Sequence, residues 1–240
     1  PGVADAVTVM GNHCSKFIDD AHARTGILKD NPIHTDMVEA ARLAKLAYIV
    51  NVVIDEKKKT VAAFAGDFEQ AHAAGCAFLD PYVCVEPEPA DIVITTNGGY
   101  PLDQNAYQSP KGMTAAEATV KDDGVIIMLA TCKDGTGGDF FYHIIADEPD
   151  IETAYQKFLA TPQTETRPDQ WCSQILARIA RKHPIIFVAD PKQKEMIEGL
   201  KMTYAPSLDQ ALAMAYEMKG KDATLTCIPN GVSVVVKEKE

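Results

Sequence analysis

Short apolar runs and longer amphipathic stretches alternate through the second half of the chain. The apolar runs at 92–94, 124–130 and 184–188 are rich in Ile, Val and Phe, as expected of strands that are buried on both faces. Amphipathic stretches of helical period separate them, and crossovers of that length join parallel strands. Residues 90–212 therefore predict an α/β domain with a doubly wound, mainly parallel sheet.

The first third of the chain predicts a smaller, mixed segment. Three helices are predicted there, at 3–10, at 36–46 after Thr35 as N-cap, and from Asp67 to about residue 79. Two β-branched runs, 48–54 and 60–65, flank a charged turn and predict an antiparallel pair. The first of these runs is apolar throughout, so we expect it to be buried on both faces.

A linker separates the two regions. Residues 85–89 read Val-Glu-Pro-Glu-Pro, and alternating Pro and Glu disfavours helix and extends the backbone. We therefore predict two domains, with residues 1–85 forming an incomplete α/β domain and residues 90–212 the parallel-sheet domain. We expect residues from about 219 to 240 to return to the first domain and complete it.

Local signals set two further elements. Thr114 and Glu117 form a capping box, which predicts a helix over 114–121. The apolar runs 225–228 and 232–236 flank an Asn-Gly pair, a signal that is typical of a β-hairpin. These residues therefore predict a closing hairpin at the end of the chain.

Charge and cysteine usage narrow the class of protein. A net charge of −11 argues against a nucleic-acid-binding surface, which needs a basic face. Six cysteines are scattered without any C-x-x-C pair, which is typical of reduced thiols in a cytosolic protein. No apolar run reaches the roughly 18 residues of a membrane helix. We therefore expect a cytoplasmic protein without a membrane partner.

The loop after the first strand of the predicted sheet carries the polar groups best suited to a ligand. It begins with Gly98-Gly99, and ligands of open α/β sheets bind at the carboxyl ends of strands. Asp103 is expected to cap the next helix, on which Tyr107 and Lys111 share a face, with Gln108 beside them. A phenol, an amide and an ammonium group there suit a carboxylate or a phosphate. The alternative is a simple connection whose polar side chains are solvated.

Other candidate residues are weaker by pattern alone. His13 follows the end of the first predicted helix, where a solvated or capping role is favoured over ligand binding. Trp171, the only tryptophan, lies in the first turn of a predicted helix and is either a core anchor or the wall of a ligand site. His72 and Cys76 share a helix face and are interpreted as structural. The glycine-rich residues 133–138 lack the spacing of known phosphate-binding loops.

One long motif and four short ones are specific enough to compare with a known family. They are Thr95-Thr96-Asn97-Gly98-Gly99-Tyr100-Pro101-Leu102-Asp103-Gln104-Asn105, Pro1-Gly2, Met10-Gly11-Asn12-His13, Asn31-Pro32-Ile33-His34 and Phe64-Ala65-Gly66-Asp67. Together they resemble the nickel-dependent lactate racemase family over essentially the whole chain.

The resemblance implies a cofactor and a set of site residues. The cofactor is a nickel pincer nucleotide, a pyridinium mononucleotide that grips nickel through a ring carbon and two sulfurs. His13 corresponds to the remaining nickel ligand, and imidazole suits nickel. Tyr107, Gln108 and Lys111 correspond to the catalytic group that also contacts the cofactor. Gln108 and Lys111 would also bind the substrate carboxylate, with Trp171 beside the substrate.

The resemblance also implies an activity. It is racemisation or epimerisation of a small 2-hydroxy acid, by hydride abstraction to a 2-keto acid and return of the hydride to the opposite face. Enzymes that make the cofactor are the implied partners. The chain would be the C-terminal portion of a longer protein, with the cofactor-anchoring lysine, the acid–base histidines and a substrate-binding arginine before Pro1. The 240 residues alone are therefore expected to be inactive.

A competing hypothesis belongs to another class of protein. The chain would then be a non-catalytic α/β module that binds a nucleotide or a protein partner. Such a module needs the Gly-Gly loop and the helix that follows it, whereas His13 is dispensable.

Overall fold

The computed structural model describes residues 4–55 and 57–237, so the predicted start of the first helix at Val3 lies outside the described residues. The helices in those ranges are α1 Ala6–Asn12, α2 Ser15–Asp19, α3 Pro32–Leu43, α4 Phe68–Val83, α5 Ser109–Glu117, α6 Asp139–Ala146, α7 Ile151–Ala160, α8 Gln170–Ala180, α9 Lys194–Gly199 and α10 Leu208–Lys219. The strands are β1 Ile49–Ile54, β2 Thr60–Gly66, β3 Cys84–Val85, β4 Ala90–Thr96, β5 Val120–Leu129, β6 Ile185–Val188, β7 Thr203–Ala205, β8 Leu225–Ile228 and β9 Val235–Val236. Short 3₁₀ turns occur at Ala106–Gln108, Gln163–Glu165 and Pro191–Gln193. Within the described ranges, no helix combines the length and the hydropathy needed to cross a bilayer.

A five-stranded parallel sheet with the order β7-β6-β5-β4-β8 forms the centre of the fold. Alternate residues of β4 point to opposite faces, so Val93 joins the core beneath α5 to α9, while Ile92 and Ile94 join the core beneath α10. Both faces of the sheet are therefore covered by helices. The predicted fold class, α/β with a doubly wound parallel sheet, is confirmed.

The predicted closing hairpin is wrong. β8 pairs with β4, and β9 pairs with β3 at the end of α4, both in parallel. Residues 229–231 pass the carboxyl end of β4 and do not fold β9 back onto β8. Burial beside β4 outweighs the local turn preference, since Ile228 is only 9% exposed. β8 consequently belongs to the large sheet and not to the first segment, whereas the domain boundaries themselves stay a prediction.

The turn at 229–231 packs against the carboxyl end of β4 and contacts Thr96. The Gly231 N–H donates to the Thr96 carbonyl at 2.9 Å, and the Thr96 hydroxyl donates to the Pro229 carbonyl at 2.7 Å. Gly98 has a φ of 73°, and a Cβ there would lie 2.6 Å from the Asn230 side chain. Glycine at 98 is thus required both by its backbone angle and by the close approach of Asn230.

The strands β1 and β2 form the predicted antiparallel pair, but the prediction that 48–54 is buried on both faces is wrong. Val50 is 66% exposed and Val52 is 53% exposed. α4 packs against this pair, with the rings of Phe64 and Phe78 5.6 Å apart. A two-stranded sheet packed on one helix cannot bury an apolar strand on both sides, which is why the pattern misled here.

Two helix starts differ from the predicted ones because an asparagine or a proline sets them. Asn31 caps α3 by accepting from the Ile33 and His34 N–H groups, so Thr35 lies inside the helix. Pro110 lies in the first turn of α5, which therefore begins before Thr114 and ends at Glu117. The predicted helix over 114–121 is wrong in its second half, because β5 already begins at Val120. Asp67 caps α4 as predicted.

Candidate active site

A buried asparagine organises the loop that follows β4. Asn97 is 1% exposed, and its amide donates to the carbonyls of Leu102 and Gln108, each at 2.7 Å. Its side-chain oxygen accepts from the Gly112 N–H at 3.0 Å. One side chain thus fixes the loop, the 3₁₀ turn and the start of α5 relative to each other. Sequence reasoning missed this role, although an amide directly after a buried strand and before two glycines was a usable signal.

Asp103 does not cap the next helix, contrary to the prediction. Its carbonyl accepts from the Cys132 N–H at 2.9 Å and from the Thr131 hydroxyl at 3.1 Å, which ties the loop to the segment after β5. Asn105 takes the capping role, because its side chain accepts from the Gln108 N–H at 3.2 Å. The spacing of three residues between the cap Asn105 and the donor Gln108 suits a 3₁₀ turn that begins at Ala106, one residue after the cap.

The glycine-rich loop after β5 supports the same turn. The carbonyls of Gly135 and Thr136 accept from the N–H groups of Ala106 and Tyr107, each at 3.0 Å. A Cβ on Gly137 would lie 2.5 Å from the Asn105 side chain, so the two loops are in close contact. The glycine-rich loop therefore holds the backbone of Tyr107 in position through these hydrogen bonds.

Three of the five predicted site residues contact one another in a row. The His13 and Trp171 rings lie 5.1 Å apart between centroids at an angle of 58°. The Trp171 indole N–H donates to the Tyr107 hydroxyl at 3.2 Å. The Tyr107 ring in turn meets the edge of buried Phe141, with 5.6 Å between centroids. Trp171 is thus both anchored and placed between the two other groups.

Gln108 and Lys111 lie next to this row. Gln108 follows Tyr107 in the 3₁₀ turn, and its side-chain oxygen is buried without a hydrogen-bond partner among the residues that the structure describes. Lys111 is exposed in the first turn of α5. Burial raises the pKa of the Cys172 thiol to about 11, and a bond with Tyr107 and the charge of Lys111 oppose that rise. The ammonium group therefore acts electrostatically on the first turn of α8, beside Trp171.

His13 has one defined tautomer. Its Nδ1 lies 3.2 Å from the Val9 carbonyl oxygen, which can only accept, so Nδ1 carries the proton and Nε2 keeps its lone pair. Burial lowers the pKa of His13, which favours the neutral ring. A neutral imidazole whose second nitrogen donates to a backbone carbonyl is the form that ligates metals in proteins.

Burial also keeps the Tyr107 phenol protonated, because desolvation is the main cause that raises its pKa far above the usual value. The hydroxyl accepts from Trp171, and the neighbouring Cys172 sulfur is an acceptor for its proton. At neutral pH Tyr107 is therefore a hydrogen-bond donor at this site.

The pair His72 and Cys76 lies apart from this row, in α4. The Cys76 sulfur is 3.7 Å from His72 Nε2, so the two side chains satisfy each other within the helix. In the part of the chain that the structure describes, no group of three or more His, Cys, Asp and Glu side chains has a metal-holding arrangement.

Residues 85–236 match the lactate racemase C-terminal domain family. The chain belongs to the lactate racemase family. It is 51% identical over 239 residues to the lactate racemase of Thermoanaerobacterium thermosaccharolyticum, covering 100% of this chain and 56% of that protein. It is also 51% identical over 237 residues to the lactate racemase of Lactiplantibacillus plantarum, covering 99% of this chain and 56% of that protein.

A solved structure of a lactate racemase shows the same fold. The apoprotein from Thermoanaerobacterium thermosaccharolyticum superposes with a TM-score of 0.97 at 51% identity, over 99% of this chain and 57% of that chain. The chain thus spans somewhat more than half the length of the lactate racemases that it matches. The family resemblance seen in the motifs is confirmed, and the relatives are named as isomerases of lactate. The roles of the individual site residues stay predictions.

Proposed function

We propose that this chain forms part of a 2-hydroxy-acid racemase or epimerase that depends on a nickel pincer nucleotide. One observation supports this most directly: His13 Nδ1 lies against the Val9 carbonyl, which leaves Nε2 as the available nitrogen, and the ring packs against an indole that is bonded to Tyr107. A histidine that is only solvated at the surface would require neither the hydrogen bond to the Val9 carbonyl nor the packing against Trp171.

The residues of the row fit the cofactor chemically. His13 Nε2 would be the protein's donor to nickel, because imidazole is a preferred ligand of Ni(II). When bound, the nickel pincer nucleotide supplies the hydride acceptor and so carries the redox part of the inversion. The unpartnered Gln108 oxygen is a buried acceptor that a bound group could satisfy.

This chain would bind and orient the substrate. Lys111 offers an ammonium group to the substrate carboxylate, and Gln108 offers an amide from the turn beside it. Tyr107 would donate its hydroxyl proton to a substrate oxygen, since its raised pKa keeps that proton in place. Trp171 forms an apolar wall that excludes water from one side of the bound acid. Fixed positions of these groups lower the entropic cost of reaching the reactive geometry.

The proposal is tested by replacing His13 in the longest form of the protein that its gene encodes, produced together with cofactor-making enzymes. We expect His13→Ala to lower the bound nickel by at least about tenfold, the lower range seen when even an outer partner of a ligand is removed. Racemisation of lactate should fall with it. Nickel is measured by plasma mass spectrometry and racemisation by chiral chromatography.

A matched control is His22→Ala, because His22 is exposed and bonded to Asp20 away from the row. It should leave the nickel content and the rate unchanged. If His13→Ala keeps full nickel and full activity, the proposed role of this imidazole is wrong.

A second candidate function has one observation in its favour. A cleft of about 890 Å³ lies at the carboxyl ends of β4, β5 and β6, with Gly99, Lys133 and Lys192 among its lining residues. Open α/β sheets bind ligands at this edge, so the chain could be a non-catalytic module for a nucleotide. Under that hypothesis His13→Ala would leave nucleotide binding intact and no nickel would be found in the parent protein.

A further inference from the structure

Two glutamines bracket the turn that carries His13. The Gln163 amide donates to the Gly11 carbonyl at 2.9 Å, and the Gln174 amide donates to the Ser15 carbonyl at 3.0 Å. Each acceptor lies two residues from His13, one on either side. Both donors come from residues about 150 positions later in the chain.

The second of these bonds lies in a dry environment. Gln174 and Ser15 are each 1% exposed, and the neighbouring Cys14 is 1% exposed as well. Backbone carbonyls in such surroundings depend on protein donors, because water does not reach them. Ile18 is also buried, so α2 is packed on α7 and α8 over its inner side.

Helix α8, which carries Gln174, also supplies the ring on which His13 packs. Trp171 and Gln174 are three residues apart on α8 and therefore lie on one face. One turn of α8 thus holds both the backbone beside His13 and the side chain against its ring. The Tyr155 hydroxyl, on α7, donates to Asp19 and fixes the far end of α2.

These contacts show what sets the position of the imidazole. α1 has seven residues and α2 has five, and helices of that length are marginal on their own. Their own hydrogen bonds fix the tautomer of His13 but not its distance from Trp171. The amide bonds from Gln163 and Gln174 flank the His13 turn on both sides.

We propose that Gln163 and Gln174 are positioning residues that clamp the His13 turn onto α8 and hold the imidazole against Trp171. The effect on catalysis rests on the proposed function, whereas the effect on structure does not. Neither glutamine touches the reacting groups of the row. Both act through the backbone on either side of His13.

The structural test uses Trp171 as a reporter, because it is the only tryptophan of the chain. Gln163→Glu keeps the shape of the side chain but replaces the donor by a carboxylate that repels the Gly11 carbonyl. Gln174→Met removes the donor at similar volume. We expect both variants to shift the Trp171 emission to longer wavelength and to raise its quenching by acrylamide, as the His13 ring leaves the indole.

Two control variants separate this effect from general damage. Gln163→Lys retains a donor that reaches the carbonyl, so it should restore the emission and the quenching of the unaltered chain. Gln156→Met removes an amide whose bond to Glu152 lies on the exposed side of α7, and it should change neither quantity. Unchanged quenching in both Gln163→Glu and Gln174→Met would overturn the clamp.

A catalytic measurement distinguishes the clamp from the proposed function. In the nickel-loaded parent protein, Gln163→Glu should lower kcat by about tenfold to a hundredfold, since misplacement of a group by about 1 Å costs up to that factor. The KM for the hydroxy acid should stay close to its original value, because the substrate-binding side chains are untouched. Gln163→Lys should restore kcat. A change in fluorescence without any effect on nickel or kcat would support the clamp and reject the role of His13 as the nickel ligand.

Discussion

His13 illustrates how the surroundings of a single side chain decide its chemistry. The Val9 carbonyl selects the tautomer, and burial lowers the pKa of the ring. The Trp171 indole packs against the ring at an angle of 58°, and the Nδ1 contact leaves Nε2 as the available electron-pair donor. The imidazole therefore needs no proton loss before it can bind a metal ion near neutral pH.

The lowered pKa of His13 has a consequence for stability. The unfolded chain takes up the His13 proton near its ordinary pKa of about 6.5, while the folded chain takes it up only at lower pH. The unfolded state thus binds more protons between these two values, so the free energy of unfolding falls as the pH is lowered through that window. His13→Gln, which cannot be protonated there, should flatten the dependence.

Urea unfolding at several pH values between about 5 and 7 measures this slope. Replacement of the exposed His22 by Gln provides the comparison, because it removes an imidazole that does not pack against Trp171. An equal loss of slope in both variants would show that burial of His13 does not set the dependence.

At the scale of elements, α5 approaches the end of β4 closely because Gly112 has no side chain. A Cβ at this position would lie 2.4 Å from the Asn97 side-chain oxygen and 2.7 Å from the Thr96 carbonyl. The same residue accepts the Thr95 hydroxyl through its carbonyl at 3.1 Å. The start of α5, and with it Lys111, is therefore held by this close backbone approach together with the bond from Gly112 to the Asn97 side chain.

Gly112→Ala should lower the free energy of unfolding by about 1–3 kcal/mol, the usual cost of overpacking a buried site. Gly75→Ala is a control of opposite sign, because Gly75 lies inside α4 and a Cβ there meets Phe64 at an ordinary 3.4 Å. It should stabilise the chain by about 0.5–1 kcal/mol. Thermal unfolding followed by circular dichroism compares the two, and a neutral Gly112→Ala would contradict the close approach.

The strands of the large sheet that are buried on both faces were predictable from sequence. The runs 92–94, 125–128 and 185–187, within β4, β5 and β6, are apolar at every position, and the structure buries them on both faces. β7 was missed because three residues carry too little pattern. β8 was assigned to a hairpin because an Asn-Gly pair is a local signal, while its partner β4 lies about 130 residues earlier.

The candidate site shows the same division between local and distant signals. The grouping of His13 with Tyr107 and Trp171 followed from the family resemblance, whereas the pattern around His13 favoured a solvated ring. Gln163 and Gln174 gave no signal at all, since each bonds a backbone carbonyl far away in the sequence. Side chains that act through distant backbone groups have no spacing rule by which a sequence reveals them.

At the scale of the whole molecule, several large apolar side chains are exposed. Six that are more than half exposed lie on α3, α4, β1 and the residues between: Leu43, Tyr48, Val50, Val52, Ile54 and Tyr82. Val50, Val52 and Ile54 alternate along β1 and so share one of its faces, and an exposed apolar face is typical of a contact with another protein surface. The chain by itself should therefore bind hydrophobic dyes.

The variant Val50→Thr with Val52→Thr keeps the β-branched shape but makes the exposed face of β1 polar. We expect it to reduce the fluorescence of bound anilinonaphthalene sulfonate and to reduce self-association in analytical ultracentrifugation. Leu159→Gln alters an exposed apolar residue on α7 and should leave both measurements unchanged. If the dye signal survives in the double variant, the dye binds elsewhere.

The turn that packs against the end of β4 has a consequence during synthesis. β8 and the residues 229–231 leave the ribosome about 130 residues after β4, so β4 waits for its second neighbour until that stretch has been made. Until then β4 is an edge strand of the nascent sheet, and Thr96 lacks the two contacts that this turn provides. The unfinished polypeptide thus carries an open apolar edge, the kind of surface that chaperones shield from aggregation.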